Sequence, residues 1–327
     1  MRKNICLLLL LLFLFSCIDK QNNEVAEPLA LKSESVQCIG ELPLMKVPLR
    51  VGLESSRLVM LDLVSDSCYY HILEYPSLKY LYSVGAKGQG DDEMVLSTPF
   101  QLKDGNLYAY DGAKGNVFVY DLQEGKLMRK LPTSVRGGID FVCETDSTFF
   151  MEDMSGKSRL IRWTPSGTKT YFSIPTSDKE QNAPNKAYVW RSYMTYHPML
   201  GRVAMASQFG GVLELYDVNK FETVKVRVDD EELYPSEMGE KRGYCDVQWV
   251  GDELYALFSQ ETTRDRKRLN MKEQGGNILQ IFDKDGNLKR EFKLDIYING
   301  FAVDLSNNRL IGITPNEDCP ICYWTLP

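Results

Sequence analysis

Gly105-Asn106-Leu107-Tyr108-Ala109-Tyr110-Asp111, then Val117-Phe118-Val119-Tyr120-Asp121, then Lys126-Leu127-Met128-Arg129-Lys130-Leu131 is the stretch from which the fold is read. Apolar and polar residues alternate with a period of two, β-branched and aromatic side chains dominate, and Gly-containing turns separate the runs. That is the signature of strands in a meander, and Phe100-Gln101-Leu102 upstream supplies a fourth, inner strand.

The same unit recurs along the chain. An aromatic marker for the third strand stands at Tyr70, Tyr120, Trp163, Tyr216, Phe282 and Trp324, at intervals of 50, 43, 53, 66 and 42 residues. Each marker but the last is followed by a turn, such as Pro165-Ser166-Gly167 or Asp285-Gly286-Asn287, and then by an outer strand. Six four-stranded units at this period predict an all-β chain, a single six-bladed β-propeller, because each small sheet can bury its faces only against its neighbours in a ring. The final unit stops at Pro327 without an outer strand. Ser35-Val36-Gln37-Cys38-Ile39 is a strand lacking a partner, so an N-terminal strand is expected to complete the last blade. That closure would bring Cys38 beside Cys319 and Cys322, where a disulfide could staple the seam.

At this point the residues resemble the TolB-like six-bladed propeller lipoproteins of Gram-negative envelopes, relatives of the NHL-type propellers. The likeness spans about residues 35 to 327, judged by the repeat period. Its most particular stretch is Val84-Gly85-Ala86-Lys87-Gly88-Gln89-Gly90-Asp91-Asp92-Glu93, followed by Pro99-Phe100, which is similar to the Gly-rich, Glu-containing connector between blades. Asp91-Asp92 stands where Pro-Gly is usual. The resemblance implies the fold and an envelope lipoprotein, and no activity.

The amino end carries an address. Arg2 and Lys3 precede the apolar run Leu7 to Phe15, which is too short for a permanent span and reads as a signal peptide. It ends Leu14-Phe15-Ser16-Cys17, resembling a bacterial lipobox with Cys17 as the lipidated residue. Residues 1–16 are therefore expected to be a lipoprotein signal, 17–34 a lipidated tether, and 35–327 the propeller. The expected location is the cell envelope, lipid-anchored, at the outer membrane. Lys and Arg total 38 against 45 Asp and Glu, a net charge of −7, so nucleic acid is not an expected partner.

Catalytic chemistry is thinly represented. His71 and His197 are the only histidines, and no Gly-x-Ser-x-Gly elbow occurs. Gly85 to Gly90 opens no helix, so it lacks the geometry of a phosphate-cradling loop. Asp283-Lys284-Asp285-Gly286-Asn287 starts like a calcium loop, but Leu294 occupies the position of the closing Glu, and a hairpin turn accounts for it. Asp91-Asp92-Glu93 is read as a solvated acidic turn. No catalytic residue, metal or cofactor is expected.

One recurrence suggests a ligand site. Arg136-Gly137-Gly138-Ile139-Asp140, Arg191-Ser192-Tyr193-Met194-Thr195 and Arg242-Gly243-Tyr244-Cys245-Asp246 align, each Arg being expected three residues ahead of an inner strand. Arg136, Arg191 and Arg242 would form a cationic arc at the channel mouth, with Tyr193 and Tyr244 for stacking. Asp111, Asp153 and Asp246 are candidate structural partners for these arginines. The insertion Ser259 to Gly276, with Arg264, Arg266, Lys267 and Arg268, is expected on the same face. The expected function is a non-catalytic binding or scaffold module, tied to the membrane by its lipid, whose ligand is a small anion, a glycan, a peptide or a partner protein. The alternative is a metal-dependent hydrolase or lyase using Asp140, Asp246 and Asp304.

Overall fold

A strand that is apolar at every position needs cover on both faces, and one that alternates needs it on only one; the burial of successive strands follows that rule. In the computed structural model, which describes residues 28–34, 36, 45–97, 99–174, 183–228, 243–259, 261, 275–314 and 320–327, strands make up six sheets around a channel. The N-terminal β1 is Leu29–Leu31. Blade one is β2 (Pro48–Glu54), β3 (Arg57–Asp62), β4 (Cys68–Glu74) and β5 (Lys79–Ala86). Blade two is β6 (Gln101–Lys103), β7 (Asn106–Asp111), β8 (Asn116–Asp121) and β9 (Leu127–Pro132). Blade three is β10 (Phe141–Cys143), β11 (Phe149–Glu152), β12 (Leu160–Thr164) and β13 (Gly167–Tyr171). Blade four, preceded by the short helix α1 (Ala183–Val189), is β14 (Ser192–His197), β15 (Arg202–Ser207), β16 (Val212–Asp217) and β17 (Glu222–Val228). Blade five is β18 (Tyr244–Val250), β19 (Glu253–Phe258), β20 (Gly276–Phe282) and β21 (Leu288–Ile298). Blade six is β22 (Gly300–Asp304), β23 (Arg309–Ile313) and β24 (Ile321–Thr325).

All six aromatic markers fall in third strands, and every within-blade pairing is antiparallel between consecutive strands. β16 is buried at every position, whereas the outer strand β9 alternates between half-buried and exposed. The core is correspondingly divided among the blade interfaces. Tyr70, Phe100 and Phe118 pack between blades one and two, with the Tyr70 and Phe100 rings edge to face at 5.7 Å. Phe141 and Phe149 lie between blades two and three; Phe150, Met194 and Tyr216 lie between three and four. Leu215 and Phe282 fill the next interface, Phe301 and Trp324 the one after, and Met60 with Ile311 the last.

The N-terminal segment does reach the seam, but it divides its contacts between two blades. β1 pairs in parallel with β21, Leu29 opposite Phe292 and Leu31 opposite Leu294. Glu34 then forms an antiparallel bridge with Tyr323 on the open edge of blade six. Asp295 ties the two together: it accepts from the Ser33 backbone at 3.0 Å and from Trp324 Nε1 at 2.9 Å. These residues sit in the stretch assigned to the tether from sequence. Ser35 and residues 37–39 lie outside the described residues, as do Cys17, Cys38, Cys319 and the signal; the seam disulfide and the lipidation site therefore fall there too.

The acidic connector after β5 is clamped by lysines. The Glu93 carboxylate accepts from Gly90 N at 2.8 Å, while Lys114 Nζ donates to the carbonyls of Gly90 and Glu93 and Lys130 Nζ to that of Asp91. The segment at Asp283 is a turn: one carboxylate oxygen accepts from the backbones of Asp285 and Asn287 at 2.9 Å each. Aspartates ending second strands do related work, Asp62 accepting from Lys46 N and Val47 N, and Asp111 from Val95 N and Lys114 N.

Candidate functional site: a channel divided by a buried ionic hub

Inner strands run from the face carrying the blade connectors to the face carrying the hairpins, and three blades send a charged side chain to the axis, two from an inner strand and one, Asp140, from the residue just before it. Arg50 from β2 donates through Nη2 to Asp140 Oδ2 at 2.9 Å and lies 2.8 Å from Asp246 Oδ1. The three side chains are 5%, 0% and 1% exposed, so this is an ionic cluster sealed from water. The neighbouring blades supply the remaining partners. Asp140 accepts from Phe141 N and, across to blade four, from Met194 N at 2.9 Å. Asp246 accepts from Val247 N, from Gln248 Nε2 and, across to blade six, from Phe301 N at 3.2 Å. The hub thus joins five blades.

Burial dominates the electrostatics. It pushes the Asp140 carboxyl up to about 6 although Arg50 holds it down, and it raises Asp246 in the same way. For Arg50 burial works against the charge, but Asp140 and Asp246 overcome it and the guanidinium is held more tightly than usual. A second buried network lies beside the first. Arg159 pairs with Glu214, donates to Ser192 Oγ at 2.9 Å, and sits near Glu152, which accepts from Ser192 N at 2.5 Å and Ile139 N at 3.1 Å. Burial lifts Glu152 to about 7. Four buried carboxylates, of Asp140, Asp246, Glu152 and Glu214, therefore share two buried guanidiniums across the two networks.

Because the hub fills the axis, the channel becomes two separate cups. The connector-face cup, about 320 Å³, is walled by Leu49, Leu63, Leu96, Pro99 and Ile139, with Gly137, Gly138, Ser97, Gln208 and Tyr193. It is predominantly apolar. The hairpin-face cup, about 260 Å³, is lined by Arg50 to Leu53, Phe100 to Leu102, Met194 to Tyr196 and Val247 to Trp249.

The arginines expected at the channel mouth are placed as follows. Arg136 is exposed and immediately precedes Gly137 and Gly138 of the connector-face cup. Arg191 directly precedes β14, half-buried between the rings of Tyr188 (4.3 Å) and Phe209 (4.8 Å). Arg242 and residues 262–274 of the insertion lie outside the described residues. Tyr193 lines the cup, its ring 5.5 Å from the Arg50 guanidinium. Tyr244 does not face the mouth: it is 2% exposed in the interface of blades four and five and donates to Gln280 Oε1 at 2.9 Å. A register shift between Tyr244 and Asp246 turns the strand there, so the aspartate takes the axis and the tyrosine the interface.

The recurrence that aligned the arginines carries its structural meaning four residues later. Asp140 and Asp246 occupy that position in blades three and five and converge on Arg50; Thr195 occupies it in blade four and accepts from Trp249 N at 3.1 Å. Asp246 thus partners Arg50, a residue the arginine alignment passes over, while Asp111 and Asp153 cap turns. The available signal for Arg50 was one charge inside Pro48-Leu49-Arg50-Val51-Gly52-Leu53. Asp304 stands away from this pair, accepting from Tyr75 Oη at 2.7 Å and capping the 3-10 turn Leu305–Asn307. His71 is buried against Ser83 Oγ at 2.7 Å, and His197 packs edge to face on Trp249. No cluster of three or more His, Cys, Asp or Glu side chains with metal-binding geometry occurs among the described residues.

Six radial sheets around a blocked axis, with a cup at each end, define a β-propeller. The chain belongs to the TolB-like 6-blade propeller-like family, whose match covers residues 28–306. Among solved structures it is similar to a member of the DUF4221 family from Bacteroides vulgatus, with TM-score 0.58 and 10% identity over 90% of this chain and 95% of that one. A putative exported protein from Bacteroides fragilis gives TM-score 0.53 and 14% identity over 90% and 94% of the two chains. The β-propeller domain of Cps50 (Swd1) from Myceliophteria thermophila gives 0.51 and 10% over 90% and 100%. At these identities the likeness is one of fold. No curated protein matches the chain.

Proposed function

We propose that this protein is a lipid-tethered, non-catalytic binding propeller of the cell envelope whose connector-face cup captures a small anion bearing an apolar body. The observation that carries the reading is an apolar cavity with two arginines adjoining its lining: Arg136 immediately precedes Gly137, and the Arg191 carbonyl accepts from Gln208 N at 3.0 Å. Desolvating a hydrocarbon group against Leu49, Leu96 and Ile139 supplies affinity, and a carboxylate or sulfate left at the rim meets the arginines. The hub supports binding over catalysis, because Asp140 and Asp246 are already engaged by Arg50 and by backbone donors. The lipobox-like Leu14-Phe15-Ser16-Cys17, the family and the exported neighbour from Bacteroides fragilis support an envelope location.

Calorimetric titration with octanoate and octyl sulfate, against octanol, tests the ligand class. Anions binding at least about tenfold more tightly than octanol, with the preference reduced in Arg136→Ala and Arg191→Ala, is the expected result. Equal affinities for all three probes would remove the anionic reading. Acyl labelling that disappears in Cys17→Ser tests the tether.

A further inference from the structure

Several polar groups around the connector-face cup are left without partners by the fold. The Arg191 carbonyl accepts from Gln208 N, which carries the β14–β15 ladder one step beyond Ser192 opposite Ser207, so Arg191 stands opposite Gln208. Residues opposite each other in an antiparallel pair share a face, and so do residues two apart on one strand. Arg191, Gln208 and Tyr193 therefore project on the same side of blade four, and the last two line the cup. The Arg191 guanidinium lies between the rings of Tyr188 and Phe209. No carboxylate or carbonyl accepts from it among the described residues, and its Nε is buried without a partner. Arg129, Arg162 and Arg202 by contrast hold Asp146, Glu144 and Asp285. The Gln208 carboxamide is likewise unengaged among the described residues, as are the N–H and carbonyl of Gly138, which is buried in the cup wall. Packing does not demand glycine there, since a Cβ would meet nothing nearer than 3.8 Å, and the missing side chain leaves the main chain of the wall uncovered.

We infer that the connector-face cup takes a C-terminal amino-acid residue, with its α-carboxylate on Arg191, its acylated nitrogen against Gln208 and Gly138, and its apolar side chain among Leu49, Leu63, Leu96 and Ile139. The inference rests on the anionic reading of this cup and names the anion. A guanidinium donates in its own plane, in a fork that matches the two oxygens of a carboxylate. A tetrahedral oxyanion would send further oxygens out of that plane toward the Tyr188 and Phe209 rings, which offer them no donor. An amide both donates and accepts, and so do the Gln208 carboxamide and the Gly138 peptide group. Leaving those buried or half-buried groups unmade is costly, and a ligand that is only a hydrocarbon with a charge would not satisfy them. The volume, about 320 Å³, stands at the lower end of the range for small-molecule sites and suits one residue with its flanking amide. A free N-acyl amino acid and the end of a longer peptide share this chemistry.

Calorimetric titration and saturation-transfer NMR on the intact protein test it, with N-acetyl-leucine, N-acetyl-leucinamide, which lacks the charge, and 4-methylpentanoate, which keeps the charge and the branched body but lacks the amide. N-acetyl-leucine should bind with a Kd on the order of millimolar or below, at least about tenfold more tightly than either comparator. Arg191→Ala should bring the acid and its amide to within about twofold, and Arg191→Lys, which keeps the charge and loses the fork, should not restore the difference. Gln208→Ala should draw N-acetyl-leucine toward 4-methylpentanoate, while Gln101→Ala, on the other side of the hub, changes neither ratio. Acetyl-Ala-Ala-Leu bound about tenfold more tightly than N-acetyl-leucine identifies a peptide end; equal affinity identifies the free acyl amino acid. The comparisons among ligands need only the unaltered protein, so they decide the matter even where a variant does not fold. The inference is overturned if N-acetyl-leucine does not bind at about 10 mM, if it binds no more tightly than its amide or than 4-methylpentanoate, or if its preference over the amide survives in Arg191→Ala. Octanoate binding more tightly than octanol beside any of those outcomes keeps the anionic reading and removes the amino-acid one; octanoate matching octanol removes the anionic reading itself.

Discussion

Gly300 lies against Arg50 so closely that a Cβ on the glycine would stand 2.9 Å from Arg50 Cα and 2.7 Å from the Leu49 carbonyl oxygen. Both obstacles are main-chain atoms, and they cannot rotate away. Gly300→Ala should therefore push blades six and one apart beside the hub and cost roughly 1–3 kcal/mol, read as a lower urea midpoint. Gly138→Ala, whose Cβ would meet nothing nearer than 3.8 Å, should stay within about 0.5 kcal/mol.

Removing the cation from the hub leaves two buried carboxylates facing each other. Arg50→Met should lower stability by about 3–5 kcal/mol, because the uncompensated charge costs more than the pair contributes. Adding Asp140→Asn and Asp246→Asn to that variant should recover part of the loss. Denaturant unfolding of the single and triple variants checks this, and a triple variant no more stable than Arg50→Met would show that the ionic balance is not what matters.

Acidity should act on stability in two opposite directions. Asp140 and Glu152 are raised by burial, to about 6 and about 7, so the native state keeps protons that the unfolded chain releases from the ordinary carboxylate range upward. Their contribution is full below that range and is lost as pH rises to about 7, with a slope of up to ~1.4 kcal/mol per pH unit for each proton. Asp153, Asp283 and Asp295 are held below their ordinary value by hydrogen bonds that outweigh burial, so their contribution is lost at lower pH still. Stability should peak near the ordinary carboxylate range and decline toward neutrality. Glu152→Gln should flatten the upper part of that decline in thermal unfolding curves.

The seam should fail first when its N-terminal strand is removed. A chain lacking residues 1–34 loses the β1–β21 pairing, the Glu34–Tyr323 bridge and the Ser33–Asp295 bonds together. It also uncovers the edges of β21 and β24. Such a chain should melt several degrees lower and self-associate in light scattering, and Asp295→Ala should reproduce part of the melting change without the association.

The strand repeat was readable because the third strands are mostly buried and rich in apolar and aromatic side chains; that is why Tyr70, Tyr216 and Phe282 marked their blades. The hub was not readable, since Arg50 meets Asp140 and Asp246 only after the ring closes, and the local alignment made the arginines at 136, 191 and 242 the more conspicuous members. Tyr244 was misplaced by a one-residue register shift that reverses side-chain direction and leaves no mark in composition. The N-terminal contact was legible as a seam, but Leu29-Ala30-Leu31 is too short to announce itself as a strand.

β1 lies along the outer strand of blade five, on the circumference of the ring. A pull applied ahead of Pro28 therefore loads β1 against β21 along the strand direction, so that its pairing resists in shear and does not peel one bond at a time. Held in this way by its rim, the wheel would leave the openings at both ends of its axle unobstructed.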